Sequence, residues 1–151
     1  VLLKDYNDEG FIFYTNYKSN KGNDIIKNAN VCLNFHWKSL LRQIRIEGKV
    51  EKVSKETSDK YFNSRHYLSR IGAWASNQSK VLKSRDDLEN KIEFYKNKYP
   101  EKENFPRPDY WGGFIVKYSK IEFWEDMPHR IHKREVFEFK DNDWVSYTLS
   151  P

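Results

Sequence analysis

Hydrophobic and polar positions alternate along much of this chain, and segments with a three-to-four-residue spacing fall between the alternating ones. Val1 to Tyr6 and Gly10 to Asn16 are β-rich runs joined by Asn7-Asp8-Glu9-Gly10, whose turn-forming residues predict a hairpin. Ser19 stands where an N-cap would open a short helix through Asn28, with Ile25 and Ile26 as its apolar pair. Val31 to Trp37 and Leu41 to Val53 return to strand character. In the second, Ile44, Ile46, Gly48 and Val50 alternate with Arg45, Glu47 and Lys49, which predicts one buried and one wet face.

Helical spacing follows from Ser54 to about Arg65 and again from Tyr67 to Ala75. A stronger helix opens at Ser84, where Ser84-Arg85-Asp86-Asp87 resembles a capping box and Leu88, Ile92, Tyr95 and Tyr99 make one apolar stripe. Pro100 ends it, and Pro106 and Pro108 mark a loop through Asp109. Gly112 to Trp124, Ile131 to Lys140 and Asp143 to Leu149 complete the chain as strands, the last pair turning at Asp141-Asn142. No internal repeat breaks residues 1–151 into units, so the expectation is a single mainly β domain: antiparallel strands with inserted helices (α+β), closed as a small barrel.

Composition narrows the class. Five Trp, ten Tyr and ten Phe supply a core that disordered chains lack. No apolar run approaches the roughly 20 residues of a membrane-spanning helix. The single cysteine, Cys32, can neither close an intrachain disulfide nor build a thiolate metal cluster, so packing must hold the fold, and a reducing cytoplasm fits best. A net charge of +5 favours anionic partners. No basic run exceeds Lys133-Arg134, so neither nucleic acid nor membrane is implied as a partner. The chain opens on an apolar run without initiator methionine or leader, as if inside a domain.

Three constellations carry candidate chemistry. In His129-Arg130-Ile131-His132-Lys133-Arg134, strand alternation would project Arg130, His132 and Arg134 from one face as an anion site. An exposed basic strand edge is an equal reading. A metal site is not expected, because His129 and His132 would fall on opposite faces with no carboxylate or thiol cluster beside them. Tyr61, Arg65 and Ser69, four residues apart, stack a hydroxyl, a guanidinium and a hydroxyl on one face if their helix is unbroken; on spacing alone an ordinary amphipathic helix is the better reading. Arg70 to Ser79 is dense in small and amide residues, the composition of a ligand-approaching loop or of a turn around a buried Trp74.

These segments resemble the pyridoxine (pyridoxamine) 5′-phosphate oxidases. The resemblance runs nearly end to end, through VLLK (1–4), GFIFYTN (10–16), Arg42-Gln43, YFNSR (61–65), RIGAWASNQS (70–79), YWGGF (110–114), IEFWE (121–125) and HRIHKR (129–134). It implies an FMN-binding split β-barrel, working as a homodimer with FMN in clefts built from both subunits. It further implies that Val1, Leu2, Leu3, Lys4, Tyr14, Thr15, Lys21 and Gln43 contact FMN. Gln78, Ser79, Trp124 and Arg134 match the remaining FMN positions, several of them reaching across the interface. Lys4, Tyr61, Arg65 and Ser69 match the grip on the substrate's phosphate, and Arg130 and His132 the pair over its pyridine ring, with catalytic roles. The implied reaction oxidises pyridoxamine or pyridoxine 5′-phosphate to pyridoxal 5′-phosphate, oxygen accepting the electrons and leaving as hydrogen peroxide.

Departures from the family pattern are local. Asn20 stands where an arginine commonly precedes the lysine matching Lys21, and Thr148 replaces the usual arginine before the last leucine. Roughly the first third of a typical member, including an early barrel strand and an FMN-phosphate arginine just before the position of Val1, has no counterpart in residues 1–151. Three rivals compete: a related split-barrel oxidase acting on another ring, of the phenazine-biosynthesis type, which the Tyr61, Arg65 and Ser69 grip disfavours; a non-catalytic remnant that binds FMN or pyridoxal phosphate; and a basic nucleic-acid binder.

Overall fold

The structure, a computed structural model, describes residues 1–101 and 104–151. β1 (Asp5–Asn7) and β2 (Gly10–Asn16) form the hairpin at the predicted turn, which Asn7 closes by accepting from the Glu9 and Gly10 N–H groups. The first strand is shorter than its apolar run. Only the Lys4 N–H reaches back to the Ile12 carbonyl, and Val1 and Leu2 lie exposed on a cleft rim. α1 (Asn20–Lys27) follows, its N-cap Ser19 fully buried and accepting from the Gly22 N–H.

β3 (Asn30–Trp37) and β4 (Arg42–Lys52) pair antiparallel across a tight 3₁₀ turn at Lys38–Leu40. The predicted alternation in β4 buries Ile46 and Val50, but a bulge between Glu47 and Gly48 shifts its register against the next strand. There the Lys117 carbonyl passes so close that a Cβ on Gly48 has no room. α2 (Lys55–Ser64) and α3 (Tyr67–Ala75) are separate helices. Arg65 and His66 are extended and His66 caps α3, so the helix assumed for Tyr61, Arg65 and Ser69 is broken. α3 also absorbs Arg70 to Ala75, leaving only the end of that segment as loop. α4 (Arg85–Lys98) starts at its Ser84 cap as predicted, and its stripe rests Tyr95 and the following Tyr99 against a half-buried Trp74.

β5 (Trp111–Glu125) is the spine of a seven-stranded antiparallel sheet completed by β6 (Lys133–Lys140) and β7 (Asp143–Thr148). β4 pairs along nearly all of one side of β5. On the other side β2 pairs with its first half, from Trp111 to Val116, and β6 with its second, from Lys120 to Glu125. The β6–β7 loop is Asp141-Asn142, both residues left-handed as a two-residue hairpin requires. One apolar cluster joins Phe13, Val50, Phe114 and Val116 within the sheet; another joins Phe62, Ile71, Phe105 and Trp111 beneath the helices.

The expected start of the sixth strand at Ile131 is incorrect. Pro128–Arg130 make a 3₁₀ turn in which His129 and Arg130 are both left-handed, and the strand begins at Lys133. Arg130, His132 and Arg134 therefore do not share a strand face, because Arg130 belongs to the turn, His132 precedes the strand and only Arg134 lies within it. Two consecutive left-handed residues that are not glycine cost on the order of 1 kcal/mol each, strain of the kind that clusters at functional sites.

Candidate active site

A cleft of about 860 Å³ opens where α1, α2 and α3 meet β2 and the start of β5. Its floor is aromatic. Tyr14 from β2 stacks on Tyr61 from α2 with centroids 3.8 Å apart, and both rings lie nearly parallel to Trp111, the first residue of β5. Burial, reinforced by neighbouring Tyr61, pushes the Tyr14 phenol above its ordinary value, so it stays a neutral donor.

Cations ring this floor. Lys4, Lys21 and Arg65 line the cleft together with His66, Ser69 and Gln78, and among the described residues no carboxylate lines it. Lys21 projects from the first turn of α1, where its Nζ donates to Thr15 Oγ1 at 3.2 Å, to Ser19 Oγ at 3.3 Å and to Gln78 Oε1 at 3.1 Å. Three neutral acceptors hold the ammonium in place and leave its charge uncompensated. Arg65, at the break between α2 and α3, sets its guanidinium 4.6 Å from the Trp111 ring centroid, and its Nη1 is buried with no partner among the described residues. Burial pulls its pKa below the ordinary guanidinium value, yet a guanidinium stays protonated in proteins. A cleft lined by cationic side chains and, among the described residues, by no carboxylate is arranged for an anion.

A second cleft, of about 580 Å³, lies at the far end of β5 and shares no lining residue with the first. Gln43 from β4, Trp124 from β5 and Arg134 from β6 line it, with Trp37. Arg134 is held by Glu122, a buried carboxylate that accepts from its Nε at 2.7 Å and from Arg45 at 3.5 Å. That bond draws the Glu122 carboxyl below its ordinary value.

The candidate residues thus fall into separate groups. Val1, Leu2, Lys4, Tyr14, Thr15, Lys21, Tyr61, Arg65, Ser69 and Gln78 meet in the first cleft, while Gln43, Trp124 and Arg134 meet in the second. Leu3 lines a small hollow against Cys32 to Phe35 of β3. Ser79 is exposed and left-handed beside Gln78, and Arg130 is exposed on its turn. His132 packs its ring 4.6 Å from Trp124.

A family profile described as pyridoxamine 5′-phosphate oxidase matches residues 1–98, and one described as pyridoxine 5′-phosphate oxidase C-terminal dimerisation region matches residues 111–151. The chain belongs to the pyridoxamine 5′-phosphate oxidase family. It is 53% identical over its whole length to a pyridoxine/pyridoxamine 5′-phosphate oxidase of Cytophaga hutchinsonii, covering 71% of that protein. The one from Pelagibacter ubique is 52% identical, again over the whole chain and 73% of the relative. Among solved structures, PhzG of Burkholderia lata 383, in complex with tetrahydrophenazine-1-carboxylic acid, superposes with a TM-score of 0.90 at 26% identity. That match covers 99% of this chain and 72% of that one. A pyridoxamine 5′-phosphate oxidase-related, FMN-binding protein of Nostoc punctiforme shares the fold, with a TM-score of 0.75 at 12% identity, over 99% of this chain and 78% of that one.

The first cleft fits an anionic ligand with a flat ring: its donors are cationic and its floor is a flat aromatic stack. Sequence reasoning missed Trp111 and His66 in the first cleft and Glu122 beside the second. Glu122 left a trace, a carboxylate within the apolar run Ile121 to Trp124; His66 left none, because its place follows from the helix break.

Proposed function

We propose that residues 1–151 form a single split-barrel flavoprotein domain that oxidises pyridoxamine or pyridoxine 5′-phosphate to pyridoxal 5′-phosphate. Oxygen is the acceptor and hydrogen peroxide the by-product. The observation that carries the reading is the first cleft: a parallel aromatic floor, three cations and, among the described residues, no lining carboxylate and no partner for Arg65 Nη1. The bound FMN supplies a hydride acceptor for the substrate's 4′ carbon.

On this reading Lys21, with Thr15 and Gln78 around it, neutralises the FMN phosphate as a point charge. Val1, Leu2, Leu3, Lys4, Tyr14 and Ser79 complete that side of the cofactor. Lys4, Tyr61, Arg65 and Ser69 grip the substrate phosphate, Arg65 through a fork that can bind two oxygens. Gln43, Trp124 and Arg134 come from the partner subunit of a homodimer, which explains why they line a cleft of their own. Arg130 holds the pyridine ring and stabilises developing charge, and His132 orients the substrate's polar groups or accepts a proton from them. A phosphate grip favours a phosphorylated substrate over the phenazine-type ring.

The test is an absorbance spectrum of the purified chain reconstituted with FMN and mixed anaerobically with pyridoxamine 5′-phosphate. A flavin band that bleaches, then recovers with oxygen as peroxide appears, is expected. A flavin band that does not bleach would overturn the reaction, and failure to retain FMN would overturn the cofactor site.

A further inference from the structure

Between β5 and β6 lies a side-chain pair that the two clefts leave unexplained. Asp126 Oδ1 stands 2.9 Å from His132 Nδ1, and the Met127 N–H donates toward the same nitrogen at 3.2 Å. In a neutral imidazole that nitrogen serves one of these partners only: it carries a proton for the carboxylate, or offers its lone pair to the amide. The choice fixes what the other ring nitrogen presents. With Nδ1–H on Asp126, Nε2 is a bare acceptor; with Nδ1 accepting from Met127, Nε2 carries the proton.

Charge decides between them. A carboxylate attracts an Nδ1 proton more strongly than a neutral partner does, and Asp126 Oδ1 is the nearer of the two, at 2.9 Å against 3.2 Å for the Met127 nitrogen. Both members are held in place: the Asp126 N–H donates to the Leu41 carbonyl at 2.9 Å, and the His132 ring packs 4.6 Å from Trp124, which lines the second cleft.

We infer that Asp126 is a positioning residue that holds His132 in its Nδ1–H tautomer, so that Nε2 is the proton acceptor for the substrate's 4′ amine or alcohol. The inference rests on the proposed oxidase reading, in which His132 faces the substrate. As hydride departs from the 4′ carbon with its electron pair, the N–H or O–H bond breaks. Its electrons close the C=N or C=O bond, and its proton forms an Nε2–H bond. The resulting imidazolium stays paired with Asp126.

The experiment uses the FMN-loaded full chain with ¹⁵N-labelled histidine, the His132 signals being assigned through His132→Gln. At a pH where His132 is neutral, the ¹⁵N shifts are expected to report protonated Nδ1. Asp126→Ala should move the signal to the Nε2–H form and lower kcat about tenfold, a fraction of what a general base contributes. KM for pyridoxamine 5′-phosphate and the FMN Kd should stay unchanged. Asp126→Asn, whose amide oxygen still accepts from Nδ1–H, should retain the tautomer and most of kcat. An Nε2–H tautomer in the unsubstituted protein, or an Asp126→Ala protein with unaltered tautomer and kcat, would overturn the inference. Full turnover by His132→Ala would instead overturn the assignment of His132 on which it rests.

Discussion

Removing the Arg65 side chain should separate binding from stability in a way few site substitutions do. The guanidinium lies over Trp111 at 4.6 Å, with a buried Nη1 that no group among the described residues satisfies. Leaving such a donor unpaired costs roughly 1–3 kcal/mol, while its cation–π contact returns about 0.5–2 kcal/mol. The folded protein therefore gains little net from the head group, and Arg65→Ala should shift Tm by no more than about 4 °C. Ligand binding has no such offset. A hydrogen bond to a charged group is worth about 1.5–3 kcal/mol, so the Kd for pyridoxal 5′-phosphate should rise about 10- to 100-fold. Pyridoxal without its phosphate should bind both proteins alike, and titration with each ligand, followed by absorbance, gives the comparison. Arg65→Lys should recover part of the loss, since it keeps the charge without the planar fork. An Arg65→Ala protein that still discriminates the phosphorylated from the unphosphorylated ligand as the parent does would refute the assignment of an anion to this donor.

Two further outcomes follow from the sheet. Glu122 has its carboxyl lowered chiefly by the Arg134 hydrogen bond, so its stabilisation is present above the unfolded value, near 4.5, and fades as pH falls through the lower folded one. Glu122→Gln should accordingly melt below the parent at neutral pH, with the gap closing in acid; a gap of constant size would show that the ion pair is not its source. At the bulge, Gly48→Ala forces a Cβ against the Lys117 carbonyl, and chemical denaturation should register a loss of about 1–3 kcal/mol; no loss would mean that the close approach relaxes freely.

Most of the scaffold is legible in the residues because its local signals agree with its tertiary contacts. The Asn7 to Gly10 turn, the Ser19, Ser54 and Ser84 caps and the Asp141-Asn142 turn each sit where short-range hydrogen bonding or backbone preference demands. Illegible features depend on partners distant in the chain. Spacing cannot show that Arg65 and His66 are extended, because packing on Trp111 and Phe105 competes with helix continuation there. Nor does alternation reveal that His129 and Arg130 turn left-handed, since both residues fit a strand by composition. Motifs that occur in order contain many of the residues that the first cleft gathers, whereas nothing in the sequence signals the Asp126–His132 contact: Asp126 reads on its own as another surface carboxylate.

The long fifth strand has one more consequence. Trp111 and Trp124 stand at opposite ends of it, thirteen steps of about 3.3 Å apart, or on the order of 40 Å before twist shortens the path. A rod of that length keeps the two clefts of one copy from ever closing on the same ligand. If the proposed dimer brings them together crosswise, heredity of the site becomes collective. A copy spoiled in the first cleft and a copy spoiled in the second, joined as a pair, still own one intact site between them, and neither lesion is expressed in full.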